Sequence, residues 1–338
     1  MKITFLIPYF GKWPFYTKLF LQSCQSNPCA NFFILSDSFP AHKLPENVKH
    51  FPLKLSDFEQ RVSRVLGFII KIKDLHKVCD FRNFFPYVFS DILHDSDFWG
   101  YCDIDVVFGD LSKVLNPDYL SDVDILTSYS YYLAGHFTIF RNIEAINSLA
   151  FQIDDYQNRA QVFQSTHMDE NGISHVLKNH NDIRLKSPQP LLEELKKCKE
   201  FIPSCINLGF KGEITEFPYN GSELATYKNG KVYLQSSEFK SVEMLYIHFM
   251  GLKKYPFYWK NYNLELSYEK FSMSQIGFST TVFDSSQLNS PEIILRKTLF
   301  YFIARSREKI GHLVQKTIGI SNARKVALFL RKKTGIPI

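Results

Sequence analysis

The stretch Phe98-Trp-Gly-Tyr-Cys-Asp-Ile-Asp-Val-Val-Phe-Gly-Asp-Leu111 decides how this chain reads. Phe98–Cys102 is a strand-length run without a charge. Asp103 and Asp105 then interrupt a segment that is otherwise apolar as far as Phe108. Charges there are costly unless they are paired or bind a metal. Residues i and i+2 of an extended chain point to the same side. The two carboxylates can therefore share one divalent cation, and hard oxygen ligands suit Mg²⁺ or Mn²⁺. An internal ion pair is the alternative. The spacing alone is a weak signal, because the chain's 18 Asp form two more Asp-x-Asp pairs, Asp95/Asp97 and Asp122/Asp124. Both precede predicted strands, where a solvated turn or helix cap is the expected role.

Upstream, short apolar runs alternate with helical spacing. Lys2–Pro8, Asn31–Leu35 and Val48–Leu53 read as strands, with helices over Phe15–Ser26, Asp57–Ile70 and Phe84–Leu93. This alternation predicts a mostly parallel sheet with helices on both faces. Ligands of such sheets bind at the carboxyl ends of the strands. Neither a Gly-x-Gly-x-x-Gly after the first strand nor a P-loop is present, which argues against dinucleotide-binding and P-loop folds. Downstream, Val123–Thr127 and His136–Phe140 read as strands and Ile143–Phe151 as a helix. Asn229-Gly230 within Thr226–Gln235 is a hairpin signal, and Met244–Phe249 is a late strand.

The 338 residues are 45% hydrophobic and 22% charged, which excludes a disordered chain, a fibre or a coiled-coil rod. A chain this long buries a core without help from disulfides or a structural metal. The six cysteines make no CxxC pair and read as reduced, mostly buried thiols. No apolar run is long enough for a membrane span, and the start lacks a secretory signal, so the cytoplasm is the expected location. Residues 291–338 hold 11 of the 40 Lys and Arg but only two acidic residues, leaving +9 there and −3 elsewhere. A basic tail on a mildly acidic body points to an anionic surface as partner.

A second element is His248-Phe-Met-Gly-Leu-Lys-Lys254. His248 ends a predicted strand; taken alone it reads as a packed structural histidine, but beside Asp103 and Asp105 an imidazole ligand would tilt a metal site toward Mn²⁺. Gly251 permits close approach of a phosphate to the backbone. Lys254 would place a charge on that phosphate.

Asp103-x-Asp105 after a strand, then His248-Phe-x-Gly251-x-x-Lys254 about 145 residues later, resembles glycosyltransferases of the A-type fold. The likeness is to the retaining galactosyl- and glucosyltransferases of bacterial lipooligosaccharide and to glycogenin, and it covers about residues 1–260. It implies a Rossmann-like α/β fold with a mixed, mostly parallel central sheet and flanking helices. It also implies that Asp103, Asp105 and His248 hold Mn²⁺ (or Mg²⁺), that the metal holds a nucleotide-sugar diphosphate, and that Lys254 contacts the phosphate. The family continues Lys-Pro-Trp where this chain has Lys-Tyr-Pro-Phe-Tyr-Trp, so Lys253 is the fallback.

The resemblance further implies that Asp80 and Arg82 lie near the nucleotide or sugar, against a helix-capping Asp with a surface Arg. It implies a small-residue turn at Gly135 beside the donor sugar, against an ordinary strand start. Asp169 and Glu170, before the predicted helix Gly172–Leu177, would lie near the reacting sugar carbon, against an acidic pair at a helix N-terminus. Tyr9 and Asp37 follow the first two strands, where a base and ribose commonly sit, and Tyr9 would stack on uracil.

The expected organisation is a catalytic domain, 1–290, and a basic amphipathic helical tail, 291–338. The tail suits the anionic inner face of a membrane, against a solvated helical bundle on the domain surface; no nucleic-acid reading module accompanies its charge. The expected activity is metal-dependent hexose transfer, with retention, from a UDP-linked donor to a lipid-linked or oligosaccharide acceptor of bacterial surface polysaccharide. A metal-dependent phosphoryl-transfer enzyme and a non-catalytic sugar-nucleotide binder are the alternatives.

Overall fold

A computed structural model describes residues 1–39, 43–129, 132–186, 224–235, 241–249, 269–274 and 277–280, with backbone alone for 201–207, Ser274 and Gly277. Two compact units divide the chain, Met1–Pro190 with Ile202–Cys205, and Leu191–Phe201 with Ile206–Ile338. The boundary expected at residue 290 lies outside the described residues.

The first unit is a mixed α/β layer structure with a parallel-rich central sheet. Its strands are β1 (Ile3–Pro8), β2 (Asn31–Ser36), β3 (Val48–Pro52), β4 (Phe98–Cys102), β6 (Ile125–Thr127), β7 (Phe137–Arg141) and β8 (Leu185–Lys186), with β5 (Val106–Phe108) just after β4. They lie in the order β3-β2-β1-β4-β7-β6-β8. Four of the six pairings are parallel; β7 runs antiparallel to both β4 and β6.

Residues Ile3–Ile7 of β1 are buried on both faces, which is why the sequence there is continuously apolar rather than alternating. On one face Phe5 stacks on Phe32 at 5.1 Å, and helix α1 (Thr17–Gln25) lays Phe20 over Phe32 and Phe108. On the other, helix α2 (Leu55–Leu66) brings Phe58 against Phe81 and Phe89, in one core with Leu6, Leu35 and Trp99. Gly67, at φ 80°, ends α2.

Two predicted helices are broken. In place of Phe84–Leu93, a 3-10 helix covers Leu75–Phe84, followed by short α-helices Phe85–Val88 and Ser90–Leu93. The break falls at Phe89, whose backbone leaves helical geometry while its ring is buried beside Phe58 and Phe85. In place of Ile143–Phe151, Glu144–Asn147 is helical and Ser148–Gln152 tightens to 3-10. There Asn147 accepts from Trp99 Nε1 at 2.9 Å.

Asp124 corrects the solvated-turn expectation. It is buried and bonded to Arg141 Nε at 3.1 Å and to Arg184 Nε and Nη2 at 2.8 and 2.6 Å. It thereby ties the start of β6 to β7 and to the residue before β8. Asp95 pairs with Lys2 at the surface, as a solvated role requires.

In the second unit, β10 (Leu224–Lys228) and β11 (Lys231–Gln235) form the expected hairpin. Asn229 and Gly230 both take positive φ, 49° and 78°, as a two-residue primed turn demands. Strands β12 (Val242–His248), β13 (Lys270–Ser274) and β14 (Gly277–Ser279) extend it in the antiparallel order β14-β13-β10-β11-β12. The backbone also forms β9 (Phe201–Asn207). Among the described residues no helix is long and apolar enough to cross a membrane. The basic tail, 291–338, lies outside the described residues.

Candidate active site at the carboxyl edge of the first sheet

β1 and β4 are neighbours, yet the chain goes from β1 to β2 and β3 on one side before it returns to β4 on the other. Open α/β sheets bind ligands in the crevice that such a reversal opens beyond the carboxyl ends of the strands. Tyr9 follows β1, Asp37 follows β2 and Asp103 follows β4, so all three lie at this edge. The first two loops are tied together. Gly11 N donates to Asp37 Oδ1 at 2.9 Å, Ser38 Oγ to Gly11 O at 3.0 Å, and Trp13 Nε1 to Ser38 O at 3.0 Å. The Tyr9 and Trp13 rings are 4.8 Å apart. Tyr9 is half-buried and Asp37 exposed.

Asp103 N donates to His136 O at 3.2 Å, which fixes the chain as it leaves β4. Asp105 is buried, 2% exposed, while the Asp103 side chain keeps 34% of its surface. An oxygen of one lies within 4.8 Å of an oxygen of the other. Two convergent carboxylates, one of them enclosed, are a hard-oxygen donor set that fits a divalent cation. Tyr16, just before α1, also faces this pair. Burial first, then the Asp105 charge, raise its hydroxyl well above the ordinary tyrosine value. Sequence reading passed over Tyr16, since a lone Tyr before a helix carries no motif.

Arg82 is no surface residue. Its side chain is 7% exposed and joins Asp103 to Asp169. Nη2 donates to Asp103 Oδ1 at 2.5 Å; Nη1 donates to Gly135 O at 2.5 Å and lies 3.3 Å from Asp169 Oδ2. Glu170 Oε1 accepts from Gly135 N at 3.2 Å. Gly135 is small because these groups crowd it. A Cβ there would stand 2.7 Å from Glu170 Oε1, 3.2 Å from Arg82 Nη1 and 3.3 Å from Asp169 Oδ2.

Asp169 and Glu170 lie inside a π-helical turn, Met168–Gly172, that leads into the helix Ile173–Leu177. Such turns are rare and frequent at functional sites. Asp169 is buried, and its pKa is pushed up to about 8. Burial is the main cause; Arg82 opposes it, and Glu170, Asp80 and Asp103 add to it. Asp169 therefore holds its proton near neutrality, in keeping with an Arg82 that bonds Asp103 more closely than Asp169.

Asp80 corrects the helix-cap expectation. It neither caps a helix nor faces solvent: it is 0% exposed and bonded to buried Lys77 at 2.8 Å. His248, in the second unit, is buried at the end of β12. Gly251, Lys253 and Lys254 lie outside the described residues.

The sequence profile of a family of unknown function, DUF6625, matches residues 5–279. The chain belongs to this family. The DUF6625 match spans every site residue named above. No curated protein matches. Among solved structures, the glycosyltransferase GlyE of Streptococcus pneumoniae TIGR4 is similar over 55% of this DUF6625 chain and 45% of its own length, at 14% identity and a TM-score of 0.31. The match thus spans less than half of that protein, and a likeness so distant says nothing of the reaction.

Proposed function

We propose that this chain is a metal-dependent glycosyltransferase that moves a hexose from a nucleotide-diphosphate donor, UDP-linked, to a lipid-linked or oligosaccharide acceptor of bacterial surface polysaccharide. One observation carries the reading: paired carboxylates, Asp103 and Asp105, stand where β4 ends beside β1, at the point where the sheet's strand order reverses. A second set of acidic groups, Asp169 and Glu170, reaches the same place through Arg82 and Gly135.

Asp103 and Asp105 would hold Mn²⁺ or Mg²⁺, with His248 as nitrogen ligand. The cation when bound supplies Lewis acidity and a template for the diphosphate. Lys254 and Gly251 receive the phosphates, adding a fixed positive charge where the leaving group becomes more negative. Tyr9 stacks on the base and Asp37 accepts from the ribose. Arg82 keeps the Asp103 carboxylate in place and carries its charge into the crevice. Asp169 and Glu170 line the sugar's reacting carbon, where the Glu170 side chain offsets the positive charge that develops on the ring and protonated Asp169 serves as a hydrogen-bonding group. The tail, 291–338, holds the enzyme on the anionic inner face of the membrane, next to a lipid-linked acceptor.

The test is donor turnover with Mn²⁺ across UDP-hexoses, counting both transfer and slow hydrolysis. Wild-type chain consumes one of them, and the double variant Asp103→Asn, Asp105→Asn does not. Turnover and UDP binding that both survive in the double variant would overturn the metal assignment. For the tail, full-length chain should sediment with anionic vesicles and a 1–290 truncation should not; equal sedimentation would remove the membrane role.

A further inference from the structure

Asp80 sits five residues into the 3-10 helix Leu75–Phe84 and has no surface at all. Its partner Lys77 is equally enclosed; Nζ donates to Asp80 Oδ2 at 2.8 Å and to Arg159 O at 2.5 Å. The other acceptor positions of Asp80 all go to one segment 85 to 88 residues away. Ser165 Oγ donates to Oδ1 at 2.7 Å; Thr166 N and Oγ1 each donate to Oδ2 at 2.8 Å; Met168 N lies 3.4 Å from Oδ1. A buried ion pair holds only when further hydrogen bonds satisfy it, and here they do. Burial opposes the charge on Asp80, but Lys77, Ser165 and Thr166 outweigh it and keep the carboxyl below its ordinary pKa.

The segment so gripped is unusual. His167 lies between Thr166 and Met168 and takes the left-handed conformation, φ 55°, ψ 44°. Residues with a Cβ disfavour that region. Amides on either side of such a residue form a concavity that binds anions, and the Asp80 carboxylate fills it. The π-turn Met168–Gly172 begins at the next residue. Asn83 Nδ2 donates to Met168 O at 2.8 Å and Tyr101 OH to Asp169 O at 3.1 Å, while Arg159 Nη2 donates to Thr166 O at 2.7 Å.

We propose that the Lys77–Asp80 pair is a positioning device, an internal anion that holds the left-handed turn at His167 and so sets Asp169 and Glu170 against Arg82 and Gly135. Asp80 touches no substrate. It acts through the turn, so its loss should slow turnover without weakening donor binding. This rests on the reading of Asp169 and Glu170 as groups at the reacting carbon.

The experiment compares wild type with Asp80→Asn and with the milder pair Ser165→Ala, Thr166→Val, which leaves the buried ion pair intact. Hydrogen exchange is followed over 165–172, with β1 and β4 as the internal control for folding. The same proteins are assayed for kcat and KM with UDP-hexose and Mn²⁺. Both variants should exchange faster over 165–172 while β1 and β4 stay protected. Their kcat should fall about 10- to 100-fold, the scale of a small misplacement of reacting groups, with donor KM within about threefold. Thr166→Ser alone, which keeps the hydroxyl, should leave both as in wild type. Unchanged exchange over 165–172 in the folded double variant would overturn the proposal. So would a loosened turn with wild-type kcat. If wild type transfers no sugar at all, the functional reading alone fails, and exchange still decides whether Asp80 holds the turn.

Discussion

Arg82 Nη2 stands 2.5 Å from Asp103 Oδ1, so a buried arginine of the 3-10 helix and a partly exposed aspartate at the end of β4 share one ion pair. The other guanidinium nitrogen serves Gly135 and Asp169. A lysine carries its donors on one nitrogen, without the planar fork that here holds one nitrogen at Asp103 and another at Gly135 and Asp169, so it does not reproduce both sets of bonds. Arg82→Lys should keep the fold and lower kcat about 10- to 100-fold, the scale of losing a charge-assisted bond at a reacting site. Steady-state kinetics at saturating Mn²⁺ measures this; wild-type kcat would mean that Arg82 serves stability alone.

Gly135→Ala tests the crowding. The added Cβ would meet Glu170 Oε1 at 2.7 Å, closer than real Cβ contacts, with Arg82 and Asp169 just behind. Glu170 must move. Overpacking costs about 1–3 kcal/mol in a rigid core; the tip of Glu170 can swing aside, so the loss should sit at about 1 kcal/mol, the low end of that range. Urea denaturation should show that loss, and kcat should drop with it. An alanine variant of wild-type stability and turnover would mean that Glu170 shifts freely and that its bond to Gly135 N has no part in the site.

Asp124 gives a pH signature. Arg184 above all holds its pKa down at about 2, with Arg141 adding to this. A carboxylate depressed in the folded state adds stability above its unfolded pKa of about 3.9 and loses it as pH falls through the folded value. Arg184 is half exposed and solvent screens it, so the contribution is about 1–2 kcal/mol rather than the full shift. Asp124→Asn should therefore be less stable than wild type at pH 7, and the gap should close between about pH 4 and pH 2. A gap independent of pH would show that packing, not charge, is what Asp124 supplies.

Gly230 sits at φ 78° in the β10–β11 turn. Gly230→Ala should destabilise the second unit by about 1 kcal/mol or somewhat more, because alanine is strained at positive φ. Thermal melting of the two proteins decides, and an unchanged midpoint would contradict the turn geometry.

How much of this was legible in the sequence follows from how local each signal is. β1, β2 and β4 announced themselves because strands buried on both faces are apolar without a break, and Asp103 and Asp105 stood out against that background. Asn229-Gly230 needed only its own two residues. The roles of Asp80 and Asp124 were not legible, because their partners are distant: Ser165 and Thr166 lie 85 and 86 residues from Asp80, and Arg184 lies 60 from Asp124. A buried carboxylate reads as a surface one until its donors are known. Gly135 was picked out as a small residue, but the groups that require it, Glu170 and Arg82, come from other elements. The antiparallel β7 within a largely parallel sheet depends on pairing that no local pattern encodes. The left-handed His167 carries none of the Gly or Asn signals that mark such turns.

If Asp103 and Asp105 form a cation site that receives a nucleotide diphosphate, UDP binding depends on the metal. Calorimetric titration of UDP into the full chain, with and without Mn²⁺, measures this. UDP should bind wild type only when Mn²⁺ is present, and the double variant Asp103→Asn, Asp105→Asn should lose that dependence together with the binding. Equal UDP affinity with and without Mn²⁺, or Mn²⁺-dependent binding that persists in the double variant, would contradict it.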